Sequence, residues 1–96
     1  MGFRLTVQAE GDIVGIAEAG LRLFGESQAL NYHLQLFDVF ELIAANPQMA
    51  RERNEFTPPV RVLPFKAHLI IYVLTQNDEV LIVRIRHSHE DWMEDS

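Results

Sequence analysis

Hydrophobic positions along this chain follow a period of two near the N-terminus, a period of 3.6 through the first half, and a period of two again further on. The alternation over residues 3–7 predicts a short strand. Apolar residues then recur at steps of three and four over Ala9–Phe24 and Glu26–Ala45, which predicts two amphipathic helices. Gly25 stands between them, at a position where a left-handed glycine commonly ends a helix. The short link predicts an antiparallel helical hairpin.

The second helix carries more apolar surface than one sheet needs to cover it. Its predicted core stripe consists of Ala29, His33, Leu36, Phe40 and Ile43. Leu30, Leu34 and Phe37 widen the apolar arc on one side, although a stripe of about 100° is enough for a helix that packs on a sheet. Either the first helix covers this excess, or the three side chains form a groove for a partner helix.

The period returns to two after Asn46-Pro47, where the helix is expected to end because the residue before a proline avoids helical angles. A polar connection over 48–57 and Pro58-Pro59 follow. Three strands are then predicted, over Val60–Phe65, His68–Leu74 and Glu79–Arg86. The predicted fold class is α+β: a short N-terminal strand and an antiparallel two-helix hairpin packed on a predominantly antiparallel sheet, which a C-terminal three-strand meander completes.

Composition narrows the class of protein. A chain of 96 residues, 48% of them hydrophobic, is expected to form a single domain over 1–96 with a modest core. It has no cysteine and no signal-peptide pattern, so we expect a cytoplasmic protein without disulfides. The longest nearly uncharged apolar run, His68–Leu74, is far shorter than the roughly 20 residues that a membrane-spanning helix needs.

The net charge of −6 is unevenly distributed along the chain. Residues 1–50 carry two Lys or Arg and six acids, and residues 51–86 carry six Lys or Arg and four acids. Residues 87–96 carry four acids and no Lys or Arg. A mildly basic sheet region therefore lies between an acidic helical half and an acidic tail. This distribution argues against a broad nucleic-acid footprint, which needs clustered basic residues.

The stretch RIRHSHEDW over 84–92 concentrates the polar chemistry of the chain. His87 and His89 would point to the same side of a strand and could share a metal ion, but a closed structural site needs about four ligands. His33 and His68 have ordinary structural explanations in a core stripe and at a strand start. We therefore expect no metal site and no cofactor.

The predicted last strand has a mixed surface. Strict alternation places Arg84 and Arg86 on the same side as Val80 and Ile82, and opposite Ile85. Such a face can receive a partner segment with apolar and acidic groups, and Arg61 would add a further cation if the strands pair as a meander. The middle strand, which includes Tyr72, is apolar on both faces, although only one face can meet the helices.

Taken together, several segments resemble the ParE toxins of the RelE/ParE superfamily in their order and spacing. The matching segments are AEGDI opening the first helix at residue 9, NP after the second at residue 46, VR at residue 60, HLIIY at residue 68, and VRIRH at residue 83 with Asp91 beyond it. The similarity covers nearly the whole chain. It implies the toxin of a type II toxin–antitoxin pair, in the cytoplasm and in a hetero-oligomer with its antitoxin.

Within that superfamily, ParE-like members poison DNA gyrase, whereas RelE-like members cut messenger RNA. The resemblance to ParE implies a toxin that stabilises the DNA-cleavage complex of gyrase and that a ParD-like, ribbon-helix-helix antitoxin neutralises. DNA would then be bound only indirectly, through the antitoxin. The antitoxin-binding residues expected are Leu30, Leu34, Phe37, Arg61, Tyr72, Arg84 and Arg86. The residues expected to matter for the target and for toxicity are His87, His89, Glu90, Asp91 and Trp92.

The alternative is a metal-independent endoribonuclease of RelE type. Such an enzyme needs a base, a cation for the developing phosphorane charge and an acid for the leaving oxygen. Arg61 and Arg84 could supply the cation and His87 the acid, but no base has a fixed place in the predicted elements. The hairpin is also acidic, whereas ribosome-directed relatives carry a basic helix face. We therefore favour the gyrase poison, which has no catalytic residue of its own.

Overall fold

Two helices cover one face of a five-stranded sheet in the computed structural model, which describes residues 2–89. The elements are β1 Phe3–Leu5, α1 Val7–Phe24, α2 Glu26–Ala45, β2 Glu52–Arg53, β3 Val60–Phe65, β4 His68–Leu74 and β5 Val80–His87. The strand order is β1-β5-β4-β3-β2, with β1 parallel to β5 and the other neighbours antiparallel. The predicted α+β class, the hairpin and the C-terminal meander are confirmed.

Thr6 sets the boundary between β1 and α1. Its side chain accepts a hydrogen bond from the Ala9 backbone N–H at 3.0 Å, as an N-cap residue does, and donates one to the Val83 carbonyl at 2.7 Å. The strand therefore stops at Leu5 and the helix starts at Val7, which shortens the predicted strand by two residues and lengthens the predicted helix by two. Thr6 therefore ends β1, begins α1 and ties both elements to β5.

Gly25 joins the two helices with a positive φ of 89° and a ψ of 174°. Gly25 is the C-cap of α1 with a positive φ, as predicted, although its ψ lies far from the value near +47° of the left-handed helical region. Glycine is still favoured, since L side chains rarely adopt such a φ. The Gly25 N–H donates to Leu21 and its carbonyl accepts from Ala29, so one residue ends α1 and begins α2.

The core lies between the hairpin and one face of the sheet. Leu36, Phe40 and Ile43 of the predicted α2 stripe are almost fully buried, whereas Ala29 and His33 are half-buried nearer the tip of the hairpin. The buried strand residues packed in the same cluster are Ile70, Tyr72, Val80, Ile82 and Ile85. Within residues 2–89, neither helix has the length and hydrophobicity needed to cross a lipid bilayer.

The sheet has one strand that hydrophobic alternation does not predict. Glu52 and Arg53 form β2 within the expected polar connection, and they pair with Arg61 and Val60 at the edge of β3. Two charged residues carry no alternation pattern, so only the neighbouring strand makes them extended.

A β-bulge in β5 overturns the predicted facing of its arginines. Ile71 pairs with Arg84 while Tyr72 pairs with Ile82, so Val83 is an extra residue between the two pairs. Residues that pair directly share a face of the sheet, and Ile71 points away from the helices because Ile70 and Tyr72 belong to the core. Arg84 therefore lies on the face away from the helices, opposite Ile82, and the alternation that grouped them is wrong.

Candidate interaction surfaces

The surface of the hairpin that faces away from the sheet is strongly apolar. Leu30 and Leu34 of α2 are 59% and 54% exposed, and Val14 and Leu21 of α1 are 56% and 51% exposed. Leu30 and Leu34 are two of the three residues proposed for a partner groove. The α1 pair was missed, although its seven-residue spacing with Val7 places all three on one line of the helix.

The two exposed rows lie on the same side of the hairpin. Gly20 and Ala29 mark where the helices meet, because a Cβ added at Gly20 would lie 3.5 Å from the Ala29 Cβ. Leu21 follows Gly20 by one position and Leu30 follows Ala29 by one position, which is a rotation of about 100° around each helix axis. Because the two helices are antiparallel, both rotations lead to the same side of the hairpin. Asp12 of α1 and Tyr32 of α2 lie on the other side, where both contact the sheet. Val14, Leu21, Leu30 and Leu34 therefore form one surface, the outer groove.

Phe37, the third residue predicted for the groove, is only half exposed to it. Its ring lies 5.0 Å from that of Phe40, 6.3 Å from that of Phe3 and 4.8 Å from that of His33. Phe37 therefore packs against the margin of the core, next to Phe3 of β1, and is not one of the exposed residues that define the outer groove.

Arg84 is held by the first helix. Its Nε and one Nη lie 2.8 and 3.1 Å from the two carboxylate oxygens of Asp12, and the backbone N–H of Ile85 donates to the same carboxylate at 2.9 Å. Since β1 ends at Leu5, the edge of β5 beyond it is open to α1. Just after the bulge, the Asp12 carboxylate thus accepts a backbone hydrogen bond from β5 that a neighbouring strand would otherwise accept.

Arg84 and Arg86 lie beside an apolar strip on the far face of the sheet, the face away from the helices. They share that face with Leu69 and Ile71 of β4 and Val62 of β3. Both arginine residues are half-buried. The mixture of apolar and cationic groups expected from the sequence is present, with β4 rather than Val80 and Ile82 supplying its apolar part.

Arg61 and Tyr72 lie on the helix-facing side and hold the loop that follows α2. The Tyr72 hydroxyl donates to the Pro47 carbonyl at 2.9 Å and accepts from the Ala50 N–H at 3.4 Å, while Arg61 donates to the Ala50 carbonyl at 2.6 Å. Burial raises the pKa of Tyr72, and the hydrogen bond with Ala50 opposes that rise. Tyr72 has no exposed surface, so its visible role is to fix this loop.

The side chains of Tyr32, His68, His87 and His89 form a row of contacts from α2 to the end of the described chain. The Tyr32 hydroxyl lies 2.6 Å from Nδ1 of His68, the rings of His68 and His87 are 5.4 Å apart, and those of His87 and His89 are 5.2 Å apart. Burial raises the pKa of Tyr32. Within residues 2–89, no three His, Asp or Glu side chains converge well enough to hold a metal ion.

Comparison with known proteins identifies the family. The family model described as ParE toxin of type II toxin-antitoxin system, parDE matches residues 3–92. The chain belongs to the ParE toxin family. A type II system pairs a toxin with an antitoxin, so this ParE-family toxin has an antitoxin as its partner.

Individual relatives agree with this assignment. Toxin ParE1 of Mycobacterium tuberculosis is 27% identical over 89 residues, which cover 93% of this chain and 91% of the relative. Toxin ParE of Escherichia coli is also 27% identical, over 93% of this chain and 86% of its own length. A solved structure titled Chromosomal ParDE TA system from P. aeruginosa superposes with a TM-score of 0.77 at 20% identity, over 91% of this chain and 95% of that one. At that identity the superposition shows a shared fold.

The residues proposed for RNA cleavage do not converge in this ParE-family toxin. Arg61 faces the helices, whereas Arg84 lies on the far face and binds Asp12. Arg61 pairs with Tyr72, and His87 pairs with His68. Tyr72 and His68 are four positions apart on β4, so the backbones at Arg61 and His87 are separated by about 13 Å along the strand direction. Arg61 and Arg84 therefore lie on opposite faces of the sheet, and His87 lies four positions along the sheet from Arg61.

Glu90, Asp91 and Trp92, which were predicted to contribute to toxicity, lie outside the described residues. His87 and His89, the other two residues of that group, are exposed at the end of β5. The backbone N–H of His89 donates to Nδ1 of His87 at 3.2 Å.

Proposed function

We propose that this ParE-family toxin poisons DNA gyrase by binding to it and stabilising its DNA-cleaved state. The observation that carries the proposal is the separation of Arg61, Arg84 and His87, which leaves residues 2–89 without the acid and the cations assembled around one point. Membership of the ParE family supports the same mechanism. The chain then needs no cofactor and performs no chemistry of its own.

We further propose a ParD-like, ribbon-helix-helix antitoxin that covers two surfaces of the toxin. An amphipathic helix would occupy the outer groove through Leu30 and Leu34, because exposed leucines in a row at helical spacing suit a helix-in-groove contact. A following segment would reach the far face, where Arg84 and Arg86 offer cations beside apolar side chains. Arg61 and Tyr72 would support binding indirectly, by fixing the loop at Ala50.

The target is tested with purified components. The toxin is incubated with gyrase and supercoiled plasmid, and in parallel with ribosomes and messenger RNA. Linear plasmid that appears only with gyrase and toxin together is the expected result. Messenger RNA cleavage at defined codons that disappears in His87→Ala would overturn the proposal in favour of an endoribonuclease.

The antitoxin surface is tested with Leu34→Asp. A carboxylate at this exposed position is expected to weaken antitoxin binding at least tenfold, because the antitoxin would bury it, and to change the free energy of unfolding by less than about 0.5 kcal/mol. Leu23→Asp is the matched control, since Leu23 is 64% exposed on α1 and lies outside the outer groove. Equal binding by the two variants would remove the groove from the antitoxin interface.

A further inference from the structure

Acidic side chains surround the apolar residues of the outer groove. Glu10 and Glu18 stand four residues before and after Val14, so they flank it on the same face of α1. Asp38 and Glu41 follow Leu34 by four and seven residues on the same side of α2. All four acidic residues are exposed. The groove is therefore an apolar surface bordered by negative charge along both helices.

This negative charge has little compensation within the hairpin. Residues 7–45 contain six acids and one Lys or Arg, Arg22, which gives a formal charge of −5. The ion pairs found in residues 2–89 join Arg4 to Glu79, Arg53 to Glu55, and Arg84 to Asp12. None of them involves a groove acid. Arg22 stands four residues after Glu18 on α1, but such an exposed pair is only weakly favourable, so most of the negative charge of the hairpin stays uncompensated.

We propose that the outer groove selects an antitoxin helix whose apolar stripe is bordered by lysine or arginine. The inference rests on the proposed function, since the occupant is the antitoxin. Complementary charges at the border of an apolar contact contribute mainly to specificity and to the rate of association. Glu10, Glu18 and Glu41 are then the residues that distinguish the cognate antitoxin from one with acidic borders.

The far face of the sheet gives no comparable charge signal, because the Asp12 carboxylate already binds the guanidinium of Arg84. The charge selection therefore concerns the outer groove alone. A second copy of the toxin fits the groove poorly, because its own groove would bring the same acids face to face.

The test uses two helical peptides of about 20 residues with one leucine stripe, bordered by lysine in one peptide and by glutamate in the other. Fluorescence anisotropy measures their affinity for the full-length toxin. Each exposed ion pair changes affinity by roughly 1.5- to 5-fold, so three pairs predict about tenfold tighter binding of the lysine peptide. Raising the salt concentration from about 0.05 to 0.5 M should remove most of that preference.

Charge-reversed toxins complete the design. Glu10→Lys/Glu18→Lys is expected to abolish or invert the preference, whereas Glu52→Lys/Glu79→Lys, with the same change in net charge away from the hairpin, should keep it. Equal affinities for the two peptides, tighter binding of the glutamate peptide, or no binding of either would overturn the inference. A toxin dimer in sedimentation that dissociates in Leu34→Asp would also overturn it, by identifying a second copy as the occupant.

The antitoxin encoded beside the toxin gene separates this inference from the proposed function. Binding to the wild-type toxin that weakens about tenfold in Glu10→Lys/Glu18→Lys supports both. Binding that changes less than twofold in that variant contradicts the charge selection alone. Absence of any binding to the wild-type toxin contradicts the proposed antitoxin itself.

Discussion

Asp12 and Arg84 join the first helix to the last strand through two hydrogen bonds of 2.8 and 3.1 Å, and the same carboxylate accepts the Ile85 backbone N–H. Both side chains are partly shielded from water, with 16% of the Asp12 side chain and 36% of the Arg84 side chain exposed. Charge-assisted hydrogen bonds in such surroundings are stronger than those between exposed groups. The contact fixes the end of β5, from which the C-terminal residues continue.

Removing this carboxylate should destabilise the fold. Asp12→Ala is expected to lower the free energy of unfolding by about 2–3 kcal/mol, because the Ile85 N–H loses its acceptor and Arg84 loses its bidentate partner. Urea unfolding followed by circular dichroism measures the change. Glu79→Ala breaks the exposed 3.6 Å pair with Arg4 and should cost less than about 0.5 kcal/mol. Equal costs for the two variants would show that the Asp12 contact contributes no more than a surface pair.

The hydroxyl of Tyr72 is expected to hold the loop after α2. Tyr72→Phe removes the hydrogen bonds to Pro47 and Ala50 while keeping the buried ring, which should lower the free energy of unfolding by about 1–2 kcal/mol. Hydrogen exchange at the Ala50 amide should accelerate more than exchange at the core amide of Ile70. Uniform acceleration at both amides would indicate a global loss of stability and no specific role in the loop.

Alkaline pH should destabilise the fold through the same side chain. Burial raises the pKa of Tyr72 above its ordinary value of 10.0, so above that pH the unfolded chain loses a proton that the folded chain still holds. This contribution to stability is therefore fully present below about pH 10 and is lost as the pH rises through the raised pKa. Tyr32 adds a contribution of the same sign.

The urea midpoint between about pH 8 and pH 11 measures this effect. Tyr72→Phe should show a shallower decline than the wild-type protein, because only Tyr32 then contributes a raised phenol pKa. Parallel curves for the two proteins would contradict the assignment to Tyr72.

The C-terminal residues are expected to carry toxicity and not folding. A chain that stops after His89 keeps all five strands, since β5 ends at His87. It should unfold cooperatively and bind the antitoxin, yet lose gyrase-dependent plasmid cleavage. A chain that stops after Met93 keeps Trp92 and is the matched control. Full plasmid cleavage by the shorter chain would exclude residues 90–96 from the mechanism.

The elements of this fold were largely predictable because each carries its own periodic signal. The bounds of α2, β3 and β4 agree with those expected from alternation, helical spacing and the proline stop. The strand β2 escaped prediction because two charged residues show no periodicity and depend on the edge of β3. The groove residues Leu30 and Leu34 were recognised as an apolar excess, whereas Val14 and Leu21 were not singled out.

The sequence by itself determined the helical hairpin, the meander and the uneven charge, because these follow from local spacing and composition. Only the tertiary structure decided which groups meet. One extra residue at Val83 turned Arg84 away from Ile82, and the end of β1 at Leu5 let Asp12 reach the exposed edge of β5. These outcomes depend on the register between strands distant in the chain. Residues that alternation placed together were therefore separated, and an acid 72 positions away became the partner of Arg84.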